Sequence, residues 1–372
     1  MAPIGFGSAQ PPIGLDIGTD FVRAAQVRSA GGGFALSAYG RAPMPFGAVV
    51  EGEIVDPQAA GSAIAELWKQ SGFRTKDVAI GLANQKVVVR LIDLPFMEKS
   101  ELQGAIQYQA QDYIPIPVEE AILSHDVIGD YMTPADEHMM EVLLVAAARE
   151  VVSSAVQTVE SAGLKLARID LTAFAIVRAL LGVDSPVVPD STDEGATGII
   201  HITSGLTNIA VVEGGVPRFT RVSALAGKQF TQAIANVMNL TYDEAEQLKI
   251  QVGLPGLDEN APPVPGLDPE TVKTAQQALE RETNRFIAEV RRSLDYYLTQ
   301  ANQASAIKRI ILTGTGATLL NLPQYLEKGL QTQVTLGDPL AQVRIEPAAE
   351  AKVLEDRMGC APAVGLGLGG VS

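Results

Sequence analysis

Short blocks of apolar residues alternate with turn residues along most of the chain, and the blocks fall into two sets that run in the same order. IGLDIGTDFVRAAQV, residues 13–27, reads as a strand, a glycine-bearing turn and a second strand, and AGGGFALSAYGRAP adds a glycine turn and a third. Asp56-Pro57 then opens a helix with Ala60, Ile64, Leu67 and Trp68 along one face, which Gly72 closes. DVAIGLA and VVVRLIDLP predict strands. A helix is expected from about Ser100 to Asp112, because Ser100 and Gln103 have capping-box spacing and Leu102, Ile106 and Ala110 share a face. The prolines of IPIPVEE stop it. Strands around Ile122 to Ile128 and Met139 to Ala147, a helix over EVVSSAVQTVESAG, a strand LKLARIDL and a helix TAFAIVRALL complete the first set.

Asp184 to Ala196 mixes prolines with acidic residues and has no period, so it reads as a loop between lobes. The second set repeats the first: a hairpin GIIHITSGLTNIAVVEGG, a strand PRFTRVSAL, a helix Gly227 to Asn239 and a short helix Tyr242 to Val252. After the Pro/Gly stretch GLPGLDENAPPVPGLDPE come a long helix from about Pro269 to Asn302, strand RIILTG, a glycine-rich turn, helix PQYLEKGL and strand QVTL. Alternating strands and helices in two similar sets predict an α/β protein of two lobes around mixed sheets.

Composition narrows the chemistry. The 372 residues are 47% hydrophobic, enough to bury two cores of domain size. A formal charge of -15 argues against a nucleic-acid surface and against adhesion to an anionic leaflet. One cysteine, Cys360, excludes an intramolecular disulfide, and His125, His138 and His201 lie at no zinc-ligand spacing. Reducing cytoplasm is the expected compartment. MAPIGFGSAQPP lacks the basic segment and apolar core of a secretory signal, and apolar runs such as VLLVAAA fall short of the ~20 residues that span a bilayer. Membrane association is therefore expected only through a partner.

Glycine at a strand-to-strand turn lets backbone N–H groups point into one concavity, and a neighbouring hydroxyl adds a donor for phosphate oxygens. Gly18 and Thr19 suit that role, and Asp16 just before them could hold Mg2+ through water. Arg23 lies on the outgoing strand, where the pairing register decides whether it enters the same concavity. An ordinary tight hairpin, with an Asp capping its own turn, has the same local sequence. LTGTGATLL is a third glycine-rich element, with Gly314, Gly316 and Ala317 as contact points for a base or phosphate; a plain strand-to-helix turn would look alike. Three such turns in the order hairpin, hairpin, strand-to-helix turn carry the nucleotide expectation.

With these segments in place, the chain resembles the actin-like ATPase superfamily and, within it, the PilM-type family of type IV pilus assembly proteins, from Gly14 to Gly369. IGLDIGTDFVRAA and HITSGLTNIAVVEGGVPRFTR are similar to the two phosphate segments, and DLPFMEKSELQGAIQYQAQDYIPIPVEEAILSHDVIG to the inserted SHS2 subdomain. VRRSLDYY looks like the helix beside the nucleotide, ILTGTGATLLNLPQYLEKGL like the adenosine segment, and CAPAVGLGL like the closing helix region. The resemblance implies a duplicated, ribonuclease H-like α/β fold with an interlobe nucleotide cleft. Its lobes would be residues 1–183, with an insert at about 90–166, and 197–372, with an insert at about 227–305; 184–196 would join them.

The implied ligand is ATP or ADP with Mg2+, the metal at Asp16. Asp16, Gly18, Thr19, Asp20, Arg23, Ser204, Gly205, Thr207, Arg292, Gly314, Thr315, Gly316 and Ala317 are the implied nucleotide contacts. Arg291, Arg292 and Ser293 could offer a guanidinium face to adenine or simply form a solvated helix face. The implied partners are other pilus assembly proteins and a PilN-like inner-membrane protein. The cytoplasmic tail of the latter would dock in extended form beside the insert, with Phe96, Leu102, Ile106, Tyr113 and Ile114 as candidate lining. The protein would then sit in the cytoplasm, peripheral to the inner membrane.

One departure changes the expected chemistry. Where the family's second phosphate segment has Asp-x-Gly, this chain has His201-Ile202-Thr203. A neutral histidine, with an ordinary pKa of about 6.5, does not replace a fixed negative charge beside a metal. ATP binding is expected and rapid hydrolysis is not, so no catalytic residue is assigned. An active phosphotransferase would need a carboxylate base and an intact metal site. A filament-forming division protein of the FtsA type would commonly end in an amphipathic membrane helix, which GLGLGGVS does not supply.

Overall fold

The computed structural model describes residues 11–182, 195–256, 264–300 and 306–371. Its first strands follow the glycine punctuation: β1 (Ile13–Ile17), β2 (Phe21–Ala30) and β3 (Gly33–Pro43), then the short pair β4 (Val49–Val50) and β5 (Glu53–Ile54). Helix α1 (Pro57–Ser71) starts where the Asp56 carboxylate accepts the N–H groups of Gln58 and Ala59, and stops at Gly72 with φ 69°. There follow β6 (Asp77–Leu82), β7 (Val87–Pro95), α2 (Lys99–Gln109), β8 (Ala121–Met132), β9 (His138–Ala148), α3 (Arg149–Ser161), β10 (Lys165–Leu171) and α4 (Thr172–Leu181). The second set comprises β11 (Ala196–Ile202), β12 (Thr207–Glu213), β13 (Val216–Ser223), α5 (Gly227–Met238), α6 (Tyr242–Val252), α7 (Pro269–Gln300), β14 (Ile307–Thr313), α8 (Leu322–Leu330) and β15 (Gln333–Leu336). The chain closes with β16 (Val343–Ile345), α9 (Pro347–Leu354) and α10 (Ala361–Leu368).

The repetition in the sequence is a repetition of topology. One sheet runs β10-β6-β1-β2-β3-β16 and the other β15-β14-β11-β12-β13. In each, the opening strand pairs antiparallel with the next and parallel with a later one, which in turn pairs parallel with the last. A third sheet, β7-β9-β8, carries α2 and has its own core of Ile92, Leu94, Leu102, Ile106, Ile114, Val142 and Leu144.

Three boundaries differ from the sequence reading. The separate insert sheet spans Val87 to Ala148, whereas α3 packs on α1 and β10 joins the first sheet, so 149–166 is not part of the insert. Residues 343–371 return to the first lobe: β16 pairs parallel with β3, and α10 packs on β1, β2 and α4. The interlobe loop read at 184–196 lies outside the described residues except for Gly195 and Ala196, and Ala196 already begins β11. At α2 the N-cap is Glu98 without a side-chain cap bond, so the Ser100–Gln103 capping box is not formed.

The lobes are joined through a shared core. Ala25, Leu36 and Tyr39 of the first sheet and Ile199, Ala210 and Val212 of the second meet across α4 and α10, with Ile176 and Val364 between them. Each fully buried aliphatic side chain there stabilises by about 2 kcal/mol. Helix α10 is buried along its whole length, and its glycines permit the contact: a Cβ on Gly365 would overlap the main chain of Ala175 in α4. Gly365→Val is therefore expected to cost at least about 2 kcal/mol through overpacking and to lower the urea midpoint accordingly.

Candidate functional site

A cavity of about 440 Å³ opens between the lobes, and both hairpins line it. The two hairpins align without a gap. Gly18 N–H donates to the carbonyl of Phe21 at 3.1 Å in the first, and Thr203 N–H to that of Leu206 at 2.9 Å in the second. Asp16 pairs with Arg23 across the first ladder as His201 pairs with Asn208 across the second. Thr203 can stand in the glycine position because its hydroxyl turns onto its own turn, accepting from Leu206 N–H at 3.0 Å and donating to Leu206 O at 2.9 Å. The turns touch: a Cβ on Gly205 would lie 2.8 Å from the Cβ of Thr19.

The unbulged register from Asp16 to Arg23 puts both side chains on one face. Arg23 Nη1 lies 3.8 Å from Asp16 Oδ2, while its Nε and Nη2 donate to Asp356 at 2.7 and 3.4 Å. Asp356 also accepts from Tyr39 Oη at 2.7 Å and is 3.3 Å from Arg41. Burial pushes the Asp16 carboxyl up to about 6; Arg23 pulls it back and Asp356 pushes it further. For Arg23, burial opposes the charge, but Asp356 and Tyr39 outweigh it and the guanidinium is held above its ordinary range.

The second hairpin is the uncharged counterpart of the first. His201 is 1% exposed, and burial, together with the Arg23 charge, lowers it to about 3, so the ring is neutral. Both ring nitrogens, Asn208 Oδ1 and Oγ1 of the adjacent Thr313 have no hydrogen-bond partner among the described residues. On the walls, Lys249 of α6 donates to Glu246 at 2.7 Å and Thr231 at 2.9 Å, and Lys86 bridges Glu150 and Glu53 at 2.5 and 3.5 Å.

Of the residues expected to bind nucleotide, Asp16, Gly18, Thr19, Asp20, Arg23, Ser204, Thr315 and Gly316 line this cavity. Gly205 packs on Thr19 instead; Thr207 is buried with its hydroxyl donating to Leu225 O at 2.7 Å. Gly314 packs on the main chain of Ile202 and Ala317 is buried beneath the turn. Arg292 lies outside the cavity, its side chain 63% exposed and paired with Glu289 at 2.5 Å, the solvated-face alternative. Arg291 bonds the carbonyl of Gly329, and the Ser293 hydroxyl that of Glu289.

Sequence reasoning missed Asn208, which the hairpin alignment could have supplied, and Lys249 with Glu246, whose i,i+3 spacing looks like any helical pair. Asp356 left no local signal. Of the proposed partner-binding residues, Leu102, Ile106 and Ile114 are buried in the insert's own core. Phe96 and Tyr113 are exposed, Phe96 stacked on His138 at 4.2 Å.

A family profile described as Type IV pilus assembly protein PilM matches residues 14–371. The chain belongs to the PilM family. It is similar to the solved PilM-PilN type IV pilus biogenesis complex, with a TM-score of 0.78 and 26% identity over 97% of this chain and 99% of that one. MreB5 of Spiroplasma citri bound to ADP shares the fold at a TM-score of 0.51, 15% identical over 89% of this chain and 92% of its own. Among curated relatives, the cell division protein FtsA of Pseudomonas aeruginosa is 25% identical over 255 residues, 64% of this chain. The chain spans 60% of that relative's length. The PilM assignment and these neighbours establish an actin-like fold.

Two outcomes follow from the buried charges. Folding raises the pKa of Asp16 from 3.8 to about 6, so its carboxylate opposes folding above that pH, and the opposition vanishes where both states are protonated. Asp16→Asn should stabilise by roughly 1–3 kcal/mol near pH 7.5 and have no effect below about pH 4, measured by denaturant melts. His201 loses protons far below its ordinary range, so its ring resonances should not shift between about pH 5 and 8 in NMR titrations.

Proposed function

We propose that this PilM-family chain is a nucleotide-binding scaffold of the type IV pilus inner-membrane complex, loaded with ATP or ADP and gripping the cytoplasmic tail of a PilN-like protein. The observation that carries the nucleotide reading is the cavity itself, bounded by two matched hairpins and by Thr315 and Gly316 of the third glycine turn. Backbone N–H groups at such turns favour phosphate. The MreB5 neighbour holds ADP in a related fold. The partner reading rests on the likeness to the PilM-PilN complex over nearly the full length of both chains.

Hydrolysis is weak or absent in this reading. Phosphoryl transfer needs a positioned nucleophile and charge neutralisation around the transferring group. The second hairpin contributes a buried neutral His201 where an acid would help, and Asp16 already faces Arg23. No helix among the described residues is long and apolar enough to cross a membrane; in this reading attachment runs through the partner, supported by the likeness to the PilM-PilN complex. Nucleotide biases the grip to the extent that it binds two arrangements of the lobes unequally.

The test is calorimetric titration of a synthetic peptide with the sequence of a PilN-like amino-terminal cytoplasmic tail, with and without ATP. Binding that tightens with nucleotide is expected; no binding in either state would overturn the partner assignment. Phosphate release should stay well below the about 1 per second at the low end of ordinary enzymes.

A further inference from the structure

The charge layout of the two hairpins does not fit a divalent ion held between them. Mg2+ keeps an octahedral shell of water and takes one or two carboxylates. On two matched hairpins, those carboxylates would stand at Asp16 and at its counterpart, which is His201. His201 is neutral and buried, and the neighbouring Asn208 carries no charge, so the second hairpin offers no anionic ligand.

Asp16 has a cation already. Arg23 Nη1 is 3.8 Å away, and the guanidinium is braced from behind: two of its nitrogens bond Asp356, which Tyr39 and Arg41 hold in turn. The main chain closes over it as well, since a Cβ on Gly359 would come within 2.8 Å of Nη2. A guanidinium stays protonated under all ordinary conditions. A divalent ion beside Asp16 would meet this fixed positive charge at low dielectric, where like charges repel most.

We propose that Arg23, in place of a protein-held divalent ion, supplies the positive charge against which nucleotide phosphates settle in this cleft, so that nucleotide binding is insensitive to Mg2+. The inference rests on the nucleotide reading above. Its chemistry is direct: with Nε and Nη2 committed to Asp356, Nη1 is left to donate a charge-assisted hydrogen bond to a phosphate oxygen, which asks for no metal.

The experiment titrates a fluorescent ADP analogue into the full chain in Mg2+ and in EDTA, with displacement by unlabelled ADP. Affinity should change by less than about threefold between the buffers. His201→Asp places a carboxylate opposite Asp16 and should make binding Mg2+-dependent by about tenfold; His201→Asn, a neutral control, should not. Mn2+ followed by electron paramagnetic resonance should be taken up by His201→Asp and not by the parent chain. Arg23→Gln should weaken ADP about tenfold in both buffers, with folding checked by circular dichroism; if it unfolds, the metal arms decide alone. Tenfold loss of affinity on chelation in the parent chain, or tight Mn2+ uptake abolished by Asp16→Asn, would overturn this inference and leave nucleotide binding standing. Absence of binding in both buffers would remove the nucleotide reading, and this inference with it.

Discussion

A guanidinium locked between two carboxylates ties the first hairpin to the far end of the chain. Arg23 and Asp356 are 333 residues apart in sequence, and both are nearly inaccessible to water. Removing either partner of such a pair leaves an uncompensated buried charge, which costs about 3–5 kcal/mol. Asp356 sits between α9 and α10, so the same pair fixes where α10 starts; Pro362 at that start lines the cavity, and Val364 fills the space between lobes. Hairpin position, lobe packing and cleft shape thus share one anchor.

The two hairpins preserve geometry and diverge in chemistry. Turn hydrogen bonds, register and strand neighbours repeat, yet an acid and a base in the first copy correspond to a histidine and an amide in the second. Backbone N–H groups, which need no particular side chain, keep their arrangement in both. The two copies therefore share a main-chain arrangement and differ in the charge that their side chains bring to the cleft.

Local features were legible in the sequence because they depend on nearest neighbours. Asp56 and Gly72 bound α1, Tyr242–Val252 is helical as read, and both hairpins lie where glycine and alternation put them. What was not legible is pairing across the chain. Nothing in Val343–Ile345 says that it will seek β3, three hundred residues earlier, and nothing near Asp356 names Arg23. Leu102 and Ile106 show a second limit: the apolar stripe of a helix reads identically whether it covers its own sheet or awaits another protein. Arg292 shows a third, since one residue's rotation on a long helix separates a base contact from a solvated ion pair.

The contact between Gly205 and Thr19 sets the dimensions of the cleft at its turn end. With no Cβ on one side and a β-branched residue, stiff at χ1, on the other, the two lobes meet there through groups with little freedom to adjust. The pair behaves as calipers with a closed setting written into the main chain. Little side-chain freedom is left there to widen or narrow that span, so a large change in it would require the lobes to shift relative to one another.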